Sequence, residues 1–304
     1  MPSQSKTSTA EKIMNRLLVI ALSLICTVCS LGSTHAQIPP NFRTENLVAW
    51  CIAHQWDAEN RNPQQRAELL SSLGLKQFAY NWRSEDGPQF DEEILQTRKN
   101  GIEYFAFWNQ NDTAFEIFKK RGISPQIWRI SPSPKVGSQE EKVAAAARQM
   151  LPFATRAQEI GSRFGLYNHG GWGGEPENLV AVCKELRRQG CENVGVVYNF
   201  HHAHEHIEGF AETFALMKPY LLCVNLNGMV DPADVDQETK ENKIIPVGAG
   251  IHEAMMMQVV IESGYDGPIG ILGHLPTQDV EKSLRDNLEG IRKILAVESV
   301  DAKN

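Results

Sequence analysis

Short β-branched or aromatic runs alternate along the chain with longer amphipathic stretches. The runs lie at 47–54, 77–83, 103–109, 125–130, 163–169, 193–200, 221–225 and 269–274, and each reads as a strand bounded by turn residues. After them, segments near 63–73, 91–100, 112–121, 139–160, 176–189, 209–218, 252–263 and 278–295 read as helices. In the last, Val280, Leu284, Leu288, Ile291 and Leu295 recur every three or four positions and give one apolar face. Asn62 followed by Pro63 predicts a helix N-terminus. Gly101, Gly122, Gly161, Gly190 and Gly264 each close a helical segment, as residues that tolerate positive φ. Eight strand–helix units predict an α/β fold, a (β/α)8 TIM barrel in a single domain. An open doubly wound sheet is the alternative, but no GxGxxG follows any strand.

The first residues follow a different pattern. Lys6, Lys12 and Arg16 precede an apolar run from 17 to 31, and Gly32-Ser33-Thr34-His35-Ala36 follows it. A charged start, a short apolar core and an Ala-ending segment predict a signal peptide over 1–36, with the barrel over 37–304. The run is shorter than the roughly 20 apolar residues of a membrane span. The expected location is therefore secreted or periplasmic, with no membrane span after removal of the signal peptide. That removal takes the formal charge from −7 to −9, because three basic residues and one acidic residue leave. An acidic chain without a Lys/Arg cluster is a poor partner for nucleic acid or an anionic membrane. Of the six cysteines, Cys51, Cys183, Cys191 and Cys223 remain. Cys51 and Cys223 sit in apolar runs and predict buried thiols, while Cys183 and Cys191 could pair.

Eight of the nine histidines lie beyond residue 36, and most fall where strands end. Active sites of this fold form at those ends. His54, His169 and His274 end the first, fifth and eighth strands, and His201 and His202 follow the sixth. His204 and His206 read as solvated loop residues, and His252 opens the seventh helix. Arg83, Asn109, Arg129, Asn225 and Asn227 fall at the same ends. Period-two alternation puts Val197, Asn199 and His201 on one face, and Tyr167 and His169 on one face. Trp108 and other tryptophans near strand ends suit stacking on a sugar ring. The Gly170–Gly174 segment reads as an active-site loop without the Lys of a P-loop, and Met255–Met257 as core. There is no GxSxG and no HExxH.

Four segments resemble the xylose isomerase-like TIM-barrel superfamily, the sugar phosphate isomerase/epimerase group. They are Phe78-Ala79-Tyr80-Asn81-Trp82-Arg83, Tyr104-Phe105-Ala106-Phe107-Trp108, Tyr167-Asn168-His169-Gly170-Gly171 and Val196-Val197-Tyr198-Asn199-Phe200-His201-His202. Gly264-Tyr265-Asp266-Gly267-Pro268-Ile269 resembles the approach to the family's eighth strand. The resemblance implies one divalent metal held by Glu, Asp, His and Glu on strands five to eight, stabilising an enediolate. Here the strand-five Glu position holds Tyr167, the strand-six Asp position Asn199, the strand-seven His falls near Asn225, and the strand-eight Glu near Gly273. Neutral amides are weak ligands for Mg²⁺ or Mn²⁺. Imidazoles at His54, His169, His202 and His274 would suit zinc better than magnesium.

The expected ligand is a small carbohydrate. In an isomerase, epimerase or lyase, His169 and His202 would be the acid/base pair or metal ligands. His54, Arg83, Trp108, Arg129, Asn168, Asn199, His201, Asn225 and His274 would bind substrate. The alternative is a non-catalytic sugar-binding barrel that has lost the metal site. A weaker third reading is metal sequestration by the 201–206 loop.

Overall fold

The computed structural model describes residues 38–81, 87–236, 238 and 241–301. The predicted signal peptide and Arg83 lie outside the described residues. Eight parallel strands close into a barrel in sequence order: β1 (Leu47–Trp50), β2 (Gln77–Asn81), β3 (Glu103–Trp108), β4 (Gln126–Ile130), β5 (Phe164–Tyr167), β6 (Val194–Asn199), β7 (Leu221–Leu226) and β8 (Ile269–Leu272). β1 pairs with both β2 and β8, which completes the ring. The helices are α1 (Pro63–Ser72), α2 (Gly87–Lys99), α3 (Asp112–Arg121), α4 (Gln139–Glu159), α5 (Pro176–Arg188), α6 (Phe210–Met217), α7 (Glu253–Glu262) and α8 (Val280–Asp301). The open-sheet alternative is excluded by the closure. None of the described helices is long and apolar enough to cross a membrane.

Local chemistry accounts for the helix ends. Asn62 and Gln65 form a reciprocal capping box at the start of α1, and Ser138 and Glu141 do the same for α4. The five glycines expected to close helices all have positive φ, between 61° and 95°. Between α1 and α2 the side chains of Arg66 and Glu93 form a buried ion pair at 2.9 Å.

The alternation of strand side chains divides the core in two. Outward residues such as Phe78, Tyr80, Phe107, Val196, Tyr198 and Val224 pack beneath the helices. Inward residues, including Val48, Trp50, Phe105, Trp128, Tyr167, Val197 and Leu222, fill the barrel. Trp50 meets Trp128 edge-on with ring centroids 5.1 Å apart. The Trp128 indole lies where a β-carbon on Gly165 would stand 2.9 Å from its Cδ1, so β5 needs glycine there. These aromatics plug the barrel's interior and form the floor of the cavity above it.

β1 stops four residues short of the predicted end, because Cys51 takes φ +53° and turns the chain. β8 likewise ends at Leu272, and His274 takes φ +57°. The two segments still hold together past the strands: Gly273 N–H donates to the Trp50 carbonyl at 3.0 Å, and His274 N–H to that of Cys51 at 2.9 Å. The four described cysteines are buried and stand outside any disulfide. Cys183 donates to the Val194 carbonyl and Cys191 contacts Thr155, so these two are not paired with each other. Burial pushes the Cys183 thiol up to about 11.

Candidate functional site

At the C-terminal ends of the strands a cavity of about 340 Å³ is lined by Trp50, Cys51, Trp56, Asn81, Trp108, Tyr167, His169, His201, His202 and His274. It contains both residues expected to act as acid and base. The His169 and His202 rings lie 4.4 Å apart, His202 lies 3.7 Å from His201, and His201 lies 5.5 Å from His274. The face assignments follow the two-residue period: Val197 is inside the barrel, and Tyr167, His169 and His201 line the cavity above it.

A hydrogen-bonded lattice supports the histidines. The Tyr167 hydroxyl receives Asn199 Nδ2 and, at 3.4 Å, Trp50 Nε1. Asn199 Oδ1 faces His201 Nδ1 at 2.9 Å, which places the ring proton of the neutral imidazole on Nδ1 and leaves Nε2 as an acceptor. Asn168 ties the ends of β5 and β6: its Nδ2 donates to the Asn199 carbonyl at 3.1 Å, and its Oδ1 receives the Asn199 N–H at 2.7 Å. Asn168 and Asn199 thus hold the walls and do not line the cavity. Burial keeps the Tyr167 hydroxyl protonated far above the usual phenol range.

Electrostatics in this cluster run one way. Burial holds His201 well below the ordinary imidazole value, helped by His202, His274, Lys243 and His169. His202 is pulled down to about 2 by burial and by His169, Lys243, His274 and His204. The charges named for both are cationic. Both rings are therefore neutral at pH 7.

Aromatic rings frame one side. Trp56 stacks on His274 with centroids 3.9 Å apart, and Trp108 meets Tyr167 edge-on at 4.7 Å. Among the described residues, Trp56 Nε1 and Asn81 Oδ1 have no hydrogen-bond partner, although both belong to cavity-lining side chains. One is a donor and the other an acceptor. Sequence reasoning missed both as site residues, although Asn81 lies within a segment singled out for its resemblance.

Other expected site residues lie elsewhere. Arg129 turns to the helix side of β4, where its guanidinium sits 3.8 Å over the Phe153 ring and donates to Asn109 Oδ1 at 2.8 Å. Asn225 is buried under the cavity, where its Oδ1 faces the Cys223 thiol. His54 opens a 3-10 turn, His54–Trp56. The expectation that His204 and His206 are solvated is incorrect. His204 is 5% exposed, and His206 bridges the Tyr198 hydroxyl and Glu175, each at 3.0 Å. The segment winds into two consecutive 3-10 turns and folds inward. The glycine-rich segment docks on the β4–α4 connection, with Gly173 N–H donating to Ser133 Oγ at 2.8 Å, and does not line the cavity. Met256 and Met257 are core, whereas Met255 is exposed.

The residues at the family's ligand positions do not fit its divalent metal. Tyr167, Asn199 and Asn225 are neutral and engage one another's neighbours in hydrogen bonds. At Gly273 an added β-carbon would stand 2.6 Å from the Cys51 carbonyl oxygen, so the backbone leaves no room for a side chain. Gly273→Ala is expected to cost about 1–3 kcal/mol, read from the denaturant midpoint. An unchanged midpoint would show that β1 and β8 can separate there. Among the described residues, no group of three or more His, Cys, Asp or Glu is disposed to hold a metal ion.

The model of the xylose isomerase-like TIM-barrel family matches residues 36–294. No curated protein matches the chain. Solved structures share the fold at low identity. The 3-keto-D-glucoside 4-epimerase YcjR from E. coli aligns with TM-score 0.58 and 12% identity, over 77% of this chain and 95% of its own. The IOLI protein with a bound zinc atom aligns with TM-score 0.61 and 13% identity, over 82% and 98%. A D-psicose 3-epimerase crystallised with D-fructose aligns with TM-score 0.57 and 12% identity, over 83% and 99%.

Proposed function

The chain belongs to the xylose isomerase-like TIM-barrel family, and on that premise we propose that it is a secreted carbohydrate-active enzyme of the isomerase, epimerase or lyase type. In this reading imidazoles move the proton that family members move at a metal centre. The observation that carries it is the convergence of His169, His201, His202 and His274 with Trp56 and Trp108 in one cavity. The relatives named above for sugar substrates support the carbohydrate class.

The chemistry follows from the surroundings of each group. The tryptophan faces offer a surface for the apolar side of a sugar ring. Asn81 Oδ1 and Trp56 Nε1 would meet a hydroxyl and a ring or carbonyl oxygen. His202 would take the proton next to the carbonyl and pass it to His169, whose ring lies 4.4 Å away and which would deliver it to the other carbon or oxygen. His202 is a weak base because burial disfavours its charged form, with the basic groups around it acting in the same direction. Negative charge developing on an enediolate oxygen reverses that field and strengthens the base as the proton moves.

Deuterium incorporation tests the proposal. The mature chain, incubated with ketoses and aldoses in D2O, should exchange one carbon-bound hydrogen of its substrate, read as loss of a proton resonance. Thermal stabilisation by a sugar without exchange would replace the enzyme with the sugar-binding alternative, which the absence of a carboxylate among the described lining residues favours. The metal reading has its own check: plasma mass spectrometry of the dialysed mature chain should find metal well below one equivalent. A stoichiometric metal lost on replacing His169 or His202 would restore a re-ligated metal centre.

A further inference from the structure

Taking a proton from carbon pushes an electron pair toward a carbonyl oxygen, and a hydrogen-bond donor in the cavity must receive that charge. Several lining groups are committed to other work. The His201 Nδ1 proton belongs to Asn199 Oδ1, and its Nε2 is an acceptor. His202 and His169 carry the proton itself in the reading above. The Trp50 indole N–H is directed at the Tyr167 oxygen.

Tyr167 is differently placed. It ends β5, and Trp50 ends β1 on the opposite wall of the eight-stranded ring. Their polar atoms meet at 3.4 Å, so the hydroxyl stands near the barrel axis, at the floor of the cavity that both residues line. Asn199 Nδ2 donates to the same oxygen from β6. A tryptophan N–H can only donate, and the Asn199 amide is oriented by the contact of its Oδ1 with His201. Both hydrogen bonds at the hydroxyl are therefore ones it accepts, and its own proton is directed away from them. Among the described residues no acceptor takes that proton. An oxygen that receives two N–H donors has its own O–H polarised into a better donor. Burial keeps the proton in place. The ring is clamped too, with Trp108 edge-on at 4.7 Å and His202 at 5.9 Å. A donor fixed before the reaction in a partly desolvated pocket is well suited to a developing oxyanion. Trp56 Nε1 also lacks an acceptor, but an indole N–H is a weaker acid than a phenol and gains less as charge grows.

We propose that Tyr167 is a catalytic residue, whose O–H binds the carbonyl oxygen of the sugar and stabilises the enediolate formed from it. This rests on the carbohydrate-enzyme reading above and deepens it. When His202 takes the carbon-bound hydrogen as a proton, the C–H electron pair forms the new C=C bond and the carbonyl π pair moves onto oxygen. Tyr167 keeps its proton throughout and shares it with that oxygen as a hydrogen bond.

Deuterium exchange from D2O into D-fructose, D-psicose, D-tagatose and D-glucose by the mature chain reads this step. Tyr167→Phe should lower kcat by about 10²–10³-fold while KM stays within about threefold, because the lost bond forms fully only as charge develops. That variant also strips Trp50 and Asn199 of an acceptor, so a second replacement separates the two roles. 3-Fluorotyrosine at position 167 has nearly the same size but is a stronger acid, hence a better donor and a poorer acceptor. Its kcat should equal the parent's or exceed it by up to about fivefold. A kcat well below the parent's in the fluorotyrosine protein would make the hydroxyl an acceptor for its neighbours and overturn the proposal. An unchanged kcat in Tyr167→Phe would also overturn it and leave the carbohydrate reading standing. No exchange by the parent with any of the four sugars would overturn both.

Discussion

Between pH 6.5 and 5 the protein should lose on the order of 3 kcal/mol of stability from His201 and His204 alone. Both rings are buried, at 4% and 5% exposure. His201 is held well below 6.5, chiefly by burial, and His204 is lowered to about 4 by burial and by Lys243 and His252. The folded pKa values are depressed, so below pH 6.5 the unfolded chain takes up protons that the native state refuses. Stability then falls as pH falls, by about 1.4 kcal/mol per unit for each group that stays neutral. His202, lowered to about 2, adds to the slope in the same direction. The surface ion pairs outlast this window, because Arg121 holds Asp91 and Arg188 holds Glu185 at about 2. Urea denaturation at pH 7, 6 and 5 reads the effect directly. His204→Leu should shallow the slope between pH 6 and 5 by roughly the share of one group, about 1.4 kcal/mol per unit. Equal stability at pH 7 and 5 would mean that these histidines are hydrated or paired in solution.

That acid sensitivity comes from a segment whose sequence read differently. Strands and helices were legible because each depends on its own few residues: the apolar face of 280–295, the Asn62 cap and the glycines with positive φ all act locally. Strand alternation put Tyr167 and Val197 on the inner face, since the period holds to the last paired residue, and His169 and His201 line the cavity just beyond it. It failed where pairing ends. Past Asn199 two 3-10 turns replace extended chain, so His204 enters the interior although its polar neighbours suggested solvent. Arg129 was misplaced by treating a strand end as an active-site end. One residue of alternation turns it to Phe153 and the helices. The missing carboxylates were visible in the sequence, but their consequence was not. Only the fold shows that Tyr167 and Asn199 form part of the scaffold for His201, and that β1 and β8 lie too close at Gly273 for a replacement.

Replacing His169 and His202 together by alanine should reduce turnover, measured as deuterium exchange into the substrate, by about 10²–10⁴-fold, the usual contribution of a positioned acid or base. The single variants should each lose nearly as much, because a proton-relay pair works as a unit and removing either partner stops it. A structural effect is separable from a chemical one here. His169 is exposed at the rim and His202 is half-buried, so neither replacement opens a large cavity in the core. Melting temperature at pH 7 should change little, and at pH 5.5 the variant should lose less stability than the parent because one proton-refusing imidazole is gone. The pH dependence of turnover gives the stricter test. If His202 is the base, the acid limb of kcat/KM reports the free protein's depressed imidazole and lies well below 6.5 in the parent, and it should vanish in His202→Ala. Full turnover in the double variant would sink the acid/base assignment. Loss of turnover with ligand-induced stabilisation retained would assign the two histidines to proton transfer and leave ring binding to Trp56 and Trp108, which line the same cavity.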